Sequence, residues 1–210
     1  MGATGNSERG LARLLADIRA CRICREAPLG PPLLHEPRPV LRPSVRARIC
    51  ICSQAPGVRV HASGTPFTDP SGERLRAWLK LSKEEFYDLD RIAIVPMGFC
   101  FPGQDAGGGD LPPRRECALT WHARLFAAMP QLQLILAVGG HAQRWHLGRN
   151  GDGGMTGAVG RWREQLAAPG TPRRVALPHP SWRNNAWLAA NPWFAAELLP
   201  ALRGEIRRLL

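Results

Sequence analysis

Four short apolar segments, separated by stretches with helical periodicity, are the feature that most restricts how this chain folds. They are RARICICS, RIAIVPM, LQLILAVGG and RRVALPH, at residues 46–53, 91–97, 132–140 and 173–179. Short apolar runs of this kind, bounded by Gly and Pro turns, are typical of buried strands. Because strands alternate with helices, we expect a mostly parallel four-stranded sheet with helices on both faces, a three-layer α/β/α fold.

The intervening segments carry helical patterns. SERGLARLLADIRAC places Leu11, Leu14, Leu15 and Ile18 on one face of a helix that leads into the first cysteine. PRRECALTWHARLFAAM and the C-terminal segment NPWFAAELLPALRGEIRRLL also predict helices, the second interrupted near Pro200. These helices supply the two outer layers of the expected fold.

Other boundaries and connections follow from composition. SGERLRAWLKL predicts a helix with Ser71 as its N-cap. The segments VRVHAS (58–63), GQDAGGGDLPP (103–113) and GRNGDGGMTGAVG (148–160) are predicted to be loops, the last being the longest Gly-rich one.

Length and charge narrow the classes of protein. The 210 residues are enough for one domain, and we place the N-terminal helix and the first cysteines, residues 7–30, within it. Lys and Arg number 28 against 17 Asp and Glu, a net charge of +11. A basic surface favours a polyanionic partner such as nucleic acid, although free use of Arg in a GC-rich genome explains the charge equally well.

The sequence lacks features that direct a chain to or across a membrane. It has no apolar run of about 18 residues, and MGATGNSERG has no apolar signal core. We therefore expect a protein of the bacterial cytosol or nucleoid, with no membrane partner. In that compartment, cysteines are expected to be thiols or metal ligands rather than disulfides.

Four of the six cysteines stand in polar, loop or helix-end positions: Cys21, Cys24, Cys100 and Cys117. Four such thiols are suited to zinc or to a [4Fe–4S] cluster, and the residues themselves do not separate these from four free thiols. Cys50 and Cys52 alternate within the first strand, so we expect them to pack in the core.

The carboxyl ends of parallel strands are where ligands bind in open α/β sheets. Three loops follow predicted strands there: SQAPG after the first, PMGFCFPG after the second and PHPSW after the fourth. His179, held between two prolines, is therefore expected at the mouth of a pocket.

The order of these motifs is itself informative. A CxxC pair, SQAPG, GTPF, a cysteine and Pro-Gly after the second strand, a helical cysteine, AVGG and HPS follow one another along the chain. This order, from Cys21 to about Phe194, resembles the iron–sulfur branch of the uracil-DNA glycosylase superfamily. The resemblance implies a central four-stranded parallel sheet, action as a monomer on uracil-containing or abasic DNA, and a [4Fe–4S] cluster on the four cysteines rather than zinc.

The resemblance also implies roles for single residues. Phe67 would stack on a uracil flipped out of the duplex, and the backbone of Gln54 and Ala55 would face the base and sugar. His179 would stabilise the charge on the departing base. Ser181 would anchor a phosphate, and the loop from Trp182 through Arg183 and Asn184 to Asn185 would probe the DNA.

Three departures from the family pattern qualify this expectation. The first motif has Gln54 where an acidic residue is usual, and Ala55 where relatives that activate water have Asp or Asn. Asp69 and His61 are candidate substitutes; alternatively, Asp69 caps the following helix and His61 is an exposed loop residue.

The second departure is that the base-reading Asn after the second strand is replaced by Pro96 or Met97. Base contacts would then come from the Met97–Phe99 backbone, Gln54, Asn184 or Asn185. The usually acidic segment after the first motif is VRVHAS.

Three functions remain open at this level. The first is a monofunctional glycosylase that hydrolyses uracil or a related deaminated base from DNA in base-excision repair. The second is a catalytically weak or inactive member that binds damaged or abasic DNA, which the missing acid and Asn favour. The third is an iron–sulfur sensor or interaction module, which only the cysteines suggest.

Overall fold

The predicted strands form one four-stranded sheet in which all neighbours are parallel. The structure is a computed structural model that describes residues 3–148 and 154–210. The strands are β1 (Ile49–Cys52), β2 (Ile92–Ile94), β3 (Leu134–Val138) and β4 (Arg173–Leu177). Their order across the sheet is β2-β1-β3-β4, with Ile49 beside both Ile92 and Leu134. The expected sheet and its parallel direction are confirmed.

Helices cover both faces of this sheet. In chain order they are α1 (Ala3–Arg19), α2 (Ile23–Glu26), α3 (Val58–Ser63), α4 (Pro70–Leu79), α5 (Lys83–Phe86), α6 (Arg115–Cys117), α7 (Ala123–Ala127), α8 (Gly140–Leu147), α9 (Gly154–Gly160), α10 (Trp162–Ala167), α11 (Asn185–Ala190) and α12 (Leu199–Leu209). A π-helical turn at Ala118–His122 joins α6 to α7, a second at Phe194–Leu198 precedes α12, and a 3₁₀ turn spans Trp182–Asn184. None of the helices in the described ranges is long and apolar enough to cross a membrane.

Side-chain alternation along β1 divides the core into two layers. Ile49 and Ile51 pack on one side with residues of α4, α10 and α12, whereas Cys50 and Cys52 pack on the other with α1, α7 and α8. Successive residues of a strand point to opposite faces, so one short strand contributes to both layers. The expected three-layer α/β/α fold is confirmed, and both strand cysteines are buried in its core.

Several local boundaries differ from the sequence-based expectation. Helix α4 begins after Asp69, whose carboxylate accepts a hydrogen bond from the Gly72 N–H at 3.1 Å, so Asp69 and not Ser71 is the N-cap. Pro70 occupies the first turn of α4, where its missing N–H costs no hydrogen bond.

Two segments predicted as loops contain helices. VRVHAS forms α3, which Gly64 ends in a left-handed conformation with φ of 70°. Of the Gly-rich segment 148–160, residues 154–160 form α9 and residues 149–153 lie outside the described part. The interruption near Pro200 is observed as the π-helical turn before α12.

Candidate active site

A cleft of about 630 Å³ lies at the carboxyl ends of the strands. It is built from the exit loops of β1 and β4, the start of α4, α3 and the segment around residues 102–111. Its lining includes Gln54, Ala55, Pro56, Gly57, Arg59, Asp69, Arg74, Gln104, Asp110, His179, Ser181, Trp182, Arg183 and Asn184. The structure therefore brings together most of the residues that the sequence indicated, from four separate parts of the chain.

His179 is fixed by its neighbours as well as by its flanking prolines. The Asn184 side-chain amide donates to the His179 carbonyl oxygen at 2.6 Å. Gly139, at the end of β3, has φ of 86°, and a Cβ there would lie 3.3 Å from the His179 Cβ. A glycine at this position allows both the turn into α8 and the close approach of the imidazole.

The charge state of His179 follows from its surroundings. Burial lowers the pKa of His179 below its ordinary value, and the nearby carboxylates of Asp69 and Asp110 oppose that shift only in part. The imidazole is therefore neutral near pH 7. A neutral imidazole still carries one N–H and can donate a hydrogen bond to a developing anion.

Phe67 lines a recess at the floor of the cleft, together with Pro96 and His179. Its backbone is left-handed, with φ of 59°, which is unfavourable for a residue that has a Cβ. Two groups hold this conformation: the Tyr87 hydroxyl and the Arg76 guanidinium donate to the Phe67 carbonyl oxygen at 3.2 and 3.1 Å. The ring packs edge-to-face on Phe86, with centroids 5.8 Å apart. A planar, apolar surface is thus held next to the histidine.

Asp69 lies at both the cleft and the recess while it caps α4. One of its carboxylate oxygens accepts the Gly72 N–H, so the capping role suggested by the sequence is observed. Capping does not remove Asp69 from the cleft, because its carboxylate still acts electrostatically on His179.

The exit segments of β1 and β2 are joined by backbone hydrogen bonds. Met97 and Gly98 donate their N–H groups to the carbonyl oxygens of Ser53 and Gln54, both at 2.9 Å. The Met97 side chain is buried in the core layer that contains α1, and it does not line the cleft or its recess. Pro96 lines the recess instead, and base contacts from the Met97–Phe99 backbone remain a prediction.

The loop after His179 presents an exposed aromatic residue. Trp182 is 71% exposed, and the Arg183 guanidinium lies 5.9 Å from the centre of its ring. Arg74 donates to the Ser181 carbonyl oxygen at 3.2 Å and to the Asn185 side-chain oxygen at 2.8 Å. Arg74 therefore anchors this loop to α4. Asn185 does not line the cleft, whereas Ser181, Trp182, Arg183 and Asn184 do.

His61 lies outside the cleft lining. Its ring belongs to a half-buried cluster with His35 and Phe101, at centroid distances of 5.0 and 5.7 Å. Burial, His35 and Arg38 all lower the pKa of His61. His61 is therefore not an exposed loop residue. It lies on α3 and packs against His35 and Phe101, outside the cleft lining where a substitute for the missing acid would act.

Asp110 is a cleft residue that sequence analysis did not single out. It lies in the glycine-rich segment GQDAGGGDLPP, which was predicted to be a loop and contains a small hairpin with an antiparallel bridge between Gln104 and Asp110. Only an acidic side chain directly after three glycines distinguished it in the sequence. Composition does not indicate which side chain of a loop faces a pocket.

The four cysteines outside the strands line one small cavity on the other side of the β2 exit segment. Cys24 and Cys100 pack with Leu33, and Cys117 accepts a hydrogen bond from the Phe99 N–H at 3.4 Å. The cavity is lined by Ile18, Cys21, Ile23, Cys24, Pro39, Phe99, Cys100, Glu116, Cys117 and Trp121. The resemblance implied a common ligand set, and all four of these cysteines line this cavity.

A buried ion pair beside the cavity holds the CxxC segment. Arg114 contacts Glu116 at 3.2 Å, and Glu116 accepts the Leu29 N–H at 3.1 Å. Arg114 also donates to the carbonyl oxygens of Cys24 and Pro31, at 3.2 and 2.7 Å. The pair thus fastens the irregular N-terminal segment to the start of α6.

Three of the four thiols of this cavity are desolvated. Burial raises the pKa of Cys24, Cys100 and Cys117, in the last case to about 12, and the neighbouring cysteines raise these values further. Across residues 3–148 and 154–210, no three or more His, Cys, Asp or Glu side chains are grouped so as to hold a metal ion. Four cysteine sulfurs are the donor set of an iron–sulfur cluster. In this structure they line one cavity without forming such a group.

Comparison with protein families agrees with the fold. The model of the uracil DNA glycosylase superfamily matches residues 40–203, which include all four strands and every cleft residue named above. The match begins after the CxxC pair and the segment that carries it. The chain therefore belongs to the uracil DNA glycosylase superfamily.

Proposed function

We propose that this protein is a monofunctional DNA glycosylase that removes uracil, or a related deaminated base, from DNA by hydrolysis. The observation that carries the proposal is the pairing of His179 with the Phe67 recess. A rigid aromatic surface and a neutral N–H donor lie together at the floor of an open cleft. A base turned out of the duplex needs stacking, and its leaving anion needs a donor.

The proposed reaction relies mainly on stabilising the departing base. The neutral imidazole of His179 donates to the base oxygen on which negative charge develops as the glycosidic bond breaks. Because one N–H is enough for this role, the neutral imidazole present near pH 7 can fill it. Arg59, Arg74 and Arg183 border the cleft and supply positive charge for the phosphate backbone.

We also propose that Cys21, Cys24, Cys100 and Cys117 hold a [4Fe–4S] cluster, because all four line one cavity. The preference for the cluster over zinc rests on the resemblance of the motif order to the iron–sulfur branch. The cluster would act structurally, because its ligands join the segment before residue 40 to the β2 exit and to α6. Burial disfavours bare thiolates at Cys100 and Cys117, and bound iron would provide the compensating positive charge.

A second candidate function is recognition of damaged or abasic DNA without turnover. Two observations favour it: Ala55 stands where relatives that activate water have an acid or amide, and Asp69 already caps α4. In that case, Trp182 and Arg183 would fill the gap at an abasic site, and the arginines would hold the strand.

Base release from defined oligonucleotides separates the two functions. Iron-loaded protein in excess is incubated with duplex and single-stranded DNA that contain one uracil, hypoxanthine or xanthine, and alkali-labile sites are counted. The glycosylase proposal predicts cleavage at one of these bases. The binding proposal predicts no cleavage of any of them, together with salt-sensitive binding that is tightest on abasic DNA.

A further inference from the structure

The hairpin within residues 103–111 is a well-defined element that projects a carboxylate into the cleft. The Leu111 N–H donates to the Gly103 carbonyl oxygen at 2.9 Å, and the Asp105 N–H donates to the Gly109 carbonyl oxygen at 2.8 Å. The Asp105 carboxylate accepts the N–H groups of Gly107 and Gly109, both at 2.9 Å. The tip is thus held by its own hydrogen bonds, and the position of the following residue, Asp110, is determined.

The carboxylate of Asp110 is aimed at the first motif. Its Oδ1 atom accepts a hydrogen bond from the Gln104 side-chain amide at 3.3 Å. Its Oδ2 atom lies so close to Gly57 that a Cβ on that residue would be only 3.0 Å away. Gly57 stands two positions after Ala55, and all three of Ala55, Gly57 and Asp110 line the cleft with His179.

A carboxylate at the position of Asp110 weakens the attraction of the cleft for DNA, so its presence there calls for a functional explanation. The chain carries a net charge of +11, and three arginines border the cleft. A carboxylate among them repels the phosphates that the arginines attract. Asp69 has a structural task as the cap of α4, whereas Asp110 caps no helix in the described part of the chain.

We propose that Asp110 is the water-positioning carboxylate of this protein and replaces the acid that the first motif lacks. The role depends on the proposed glycosylase function. As the C1′–N bond breaks, its electron pair leaves with the base, and the sugar becomes cationic at C1′. The water oxygen bonds to C1′ and its proton passes to Asp110. Asp110 then returns that proton to solvent, and the released base takes one up.

The test compares single-turnover base release by Asp110→Asn with that of wild type, on the base that wild type releases best. Asn keeps the shape and the acceptor for Gln104, so the hairpin should persist. We expect a loss of about 10²-fold in the chemical step, the usual size of a base contribution. DNA affinity should be unchanged or higher, because a negative charge is removed from the cleft.

Two further variants keep the test decisive. Asp90→Asn removes a carboxylate that pairs with Arg46 before β2, at the opposite end of the sheet, and should release base at the wild-type rate. Gly57→Ala leaves Asp110 in place but crowds its Oδ2 atom, and should lower the chemical step less than Asp110→Asn does.

The outcomes distinguish two failures. If wild type releases base and folded Asp110→Asn remains within twofold of it, Asp110 has no such role while the glycosylase function stands. The same conclusion follows if Asp110→Asn is unfolded and Gly57→Ala is fully active. If wild type releases none of the bases, the glycosylase function falls and the role of Asp110 falls with it.

Discussion

The cleft and the cysteine cavity lie on either side of the same short segment after β2, and burial affects their chemistry in opposite ways. In the cleft, desolvation lowers the pKa of His179 and so keeps the imidazole in the neutral form that the proposed reaction uses. In the cavity, desolvation raises the pKa of Cys100 and Cys117 and so opposes the thiolate that a metal ligand must be.

This difference indicates what each region needs. In the cleft, the lowered pKa of His179 already gives the neutral imidazole that the proposed reaction needs. The cysteine cavity reaches its proposed state only with a cationic cofactor, because four thiolates in apolar surroundings repel one another and are poorly solvated. One region is therefore expected to depend on individual side chains, and the other on a cofactor. We therefore expect substitutions in the cleft to lower the rate of base release, and substitutions in the cavity to lower cofactor content and solubility.

The largest expected effect is in the cavity. Cys100→Ser should abolish cluster binding, lowering iron from about four atoms per chain to near zero, and should leave little soluble protein. Iron and sulfide analysis and the visible absorbance of anaerobically purified protein would measure this.

Cys52→Ala is the matched control for this loss, because Cys52 is equally buried but lies in β1 and outside the cavity. It should keep its iron. A Cys100→Ser variant that is soluble, active and fully iron-loaded would refute the proposed ligand set, and zinc in the wild type would replace the cluster assignment.

The next effect is in the cleft. His179→Ala should lower single-turnover base release by about 10²- to 10³-fold, since it removes one donor to the leaving anion. Iron content should not change, in contrast to Cys100→Ser. His141→Ala removes a partly buried histidine outside the cleft lining and should be close to wild type. Loss of less than tenfold in His179→Ala would mean that the departing base is stabilised elsewhere.

A third, smaller effect concerns the residue that connects the two regions. His122 is 1% exposed, stacks on Phe99 of the cavity wall, and lies 3.1 Å from the carbonyl oxygen of Pro96 at the cleft recess. Burial lowers the pKa of His122 to about 4. The unfolded chain takes up this proton near pH 6.5 and the folded chain only near pH 4, so stability falls as the pH decreases across that interval.

The expected loss from His122 between pH 6.5 and 4 is about 3 kcal/mol in the free energy of unfolding. His122→Phe should reduce the slope of stability against pH in that interval, measured by urea unfolding at several pH values. If the free energy of unfolding depends on pH in the same way for wild type and His122→Phe, protonation of His122 does not destabilise the fold.

The smallest effect is expected at the rim of the cleft. Arg183→Ala should weaken DNA binding severalfold for all sequences and reduce the slope of log affinity against log salt by about one, as for the loss of one phosphate contact. Arg46→Ala, beyond the opposite end of the sheet, should leave that slope unchanged. An Arg183→Ala slope equal to that of wild type would place Arg183 away from the phosphates.

Much of the architecture could be predicted from sequence because it depends on local pattern. The four apolar runs became the four strands, and Leu11, Leu14 and Ile18 form the buried stripe of α1. The sequence suggested both Ser71 and Asp69 as the cap of α4, and the structure has Asp69, which precedes Pro70 as at a typical helix start.

The site was only partly predictable, because side-chain direction depends on contacts that are distant in sequence. Pro96 and Met97 are adjacent, yet only the proline faces the recess, since the backbone bond from Met97 to Ser53 turns its side chain into the core. Asp110 enters the cleft only because the hairpin tip folds on itself. His61 packs in a ring cluster with His35, which lies 26 positions earlier in the chain.

The left-handed backbone of Phe67 limits how this pocket can evolve or be redesigned. A Cβ at Gly72 would overlap the Phe67 carbonyl oxygen, so every residue other than glycine at position 72 displaces the ring that lines the recess. The two positions are therefore epistatic: a neutral path from one ligand preference of this recess to another cannot pass through substitutions at Gly72. Combinatorial libraries aimed at the base pocket should vary position 67 and keep position 72 constant.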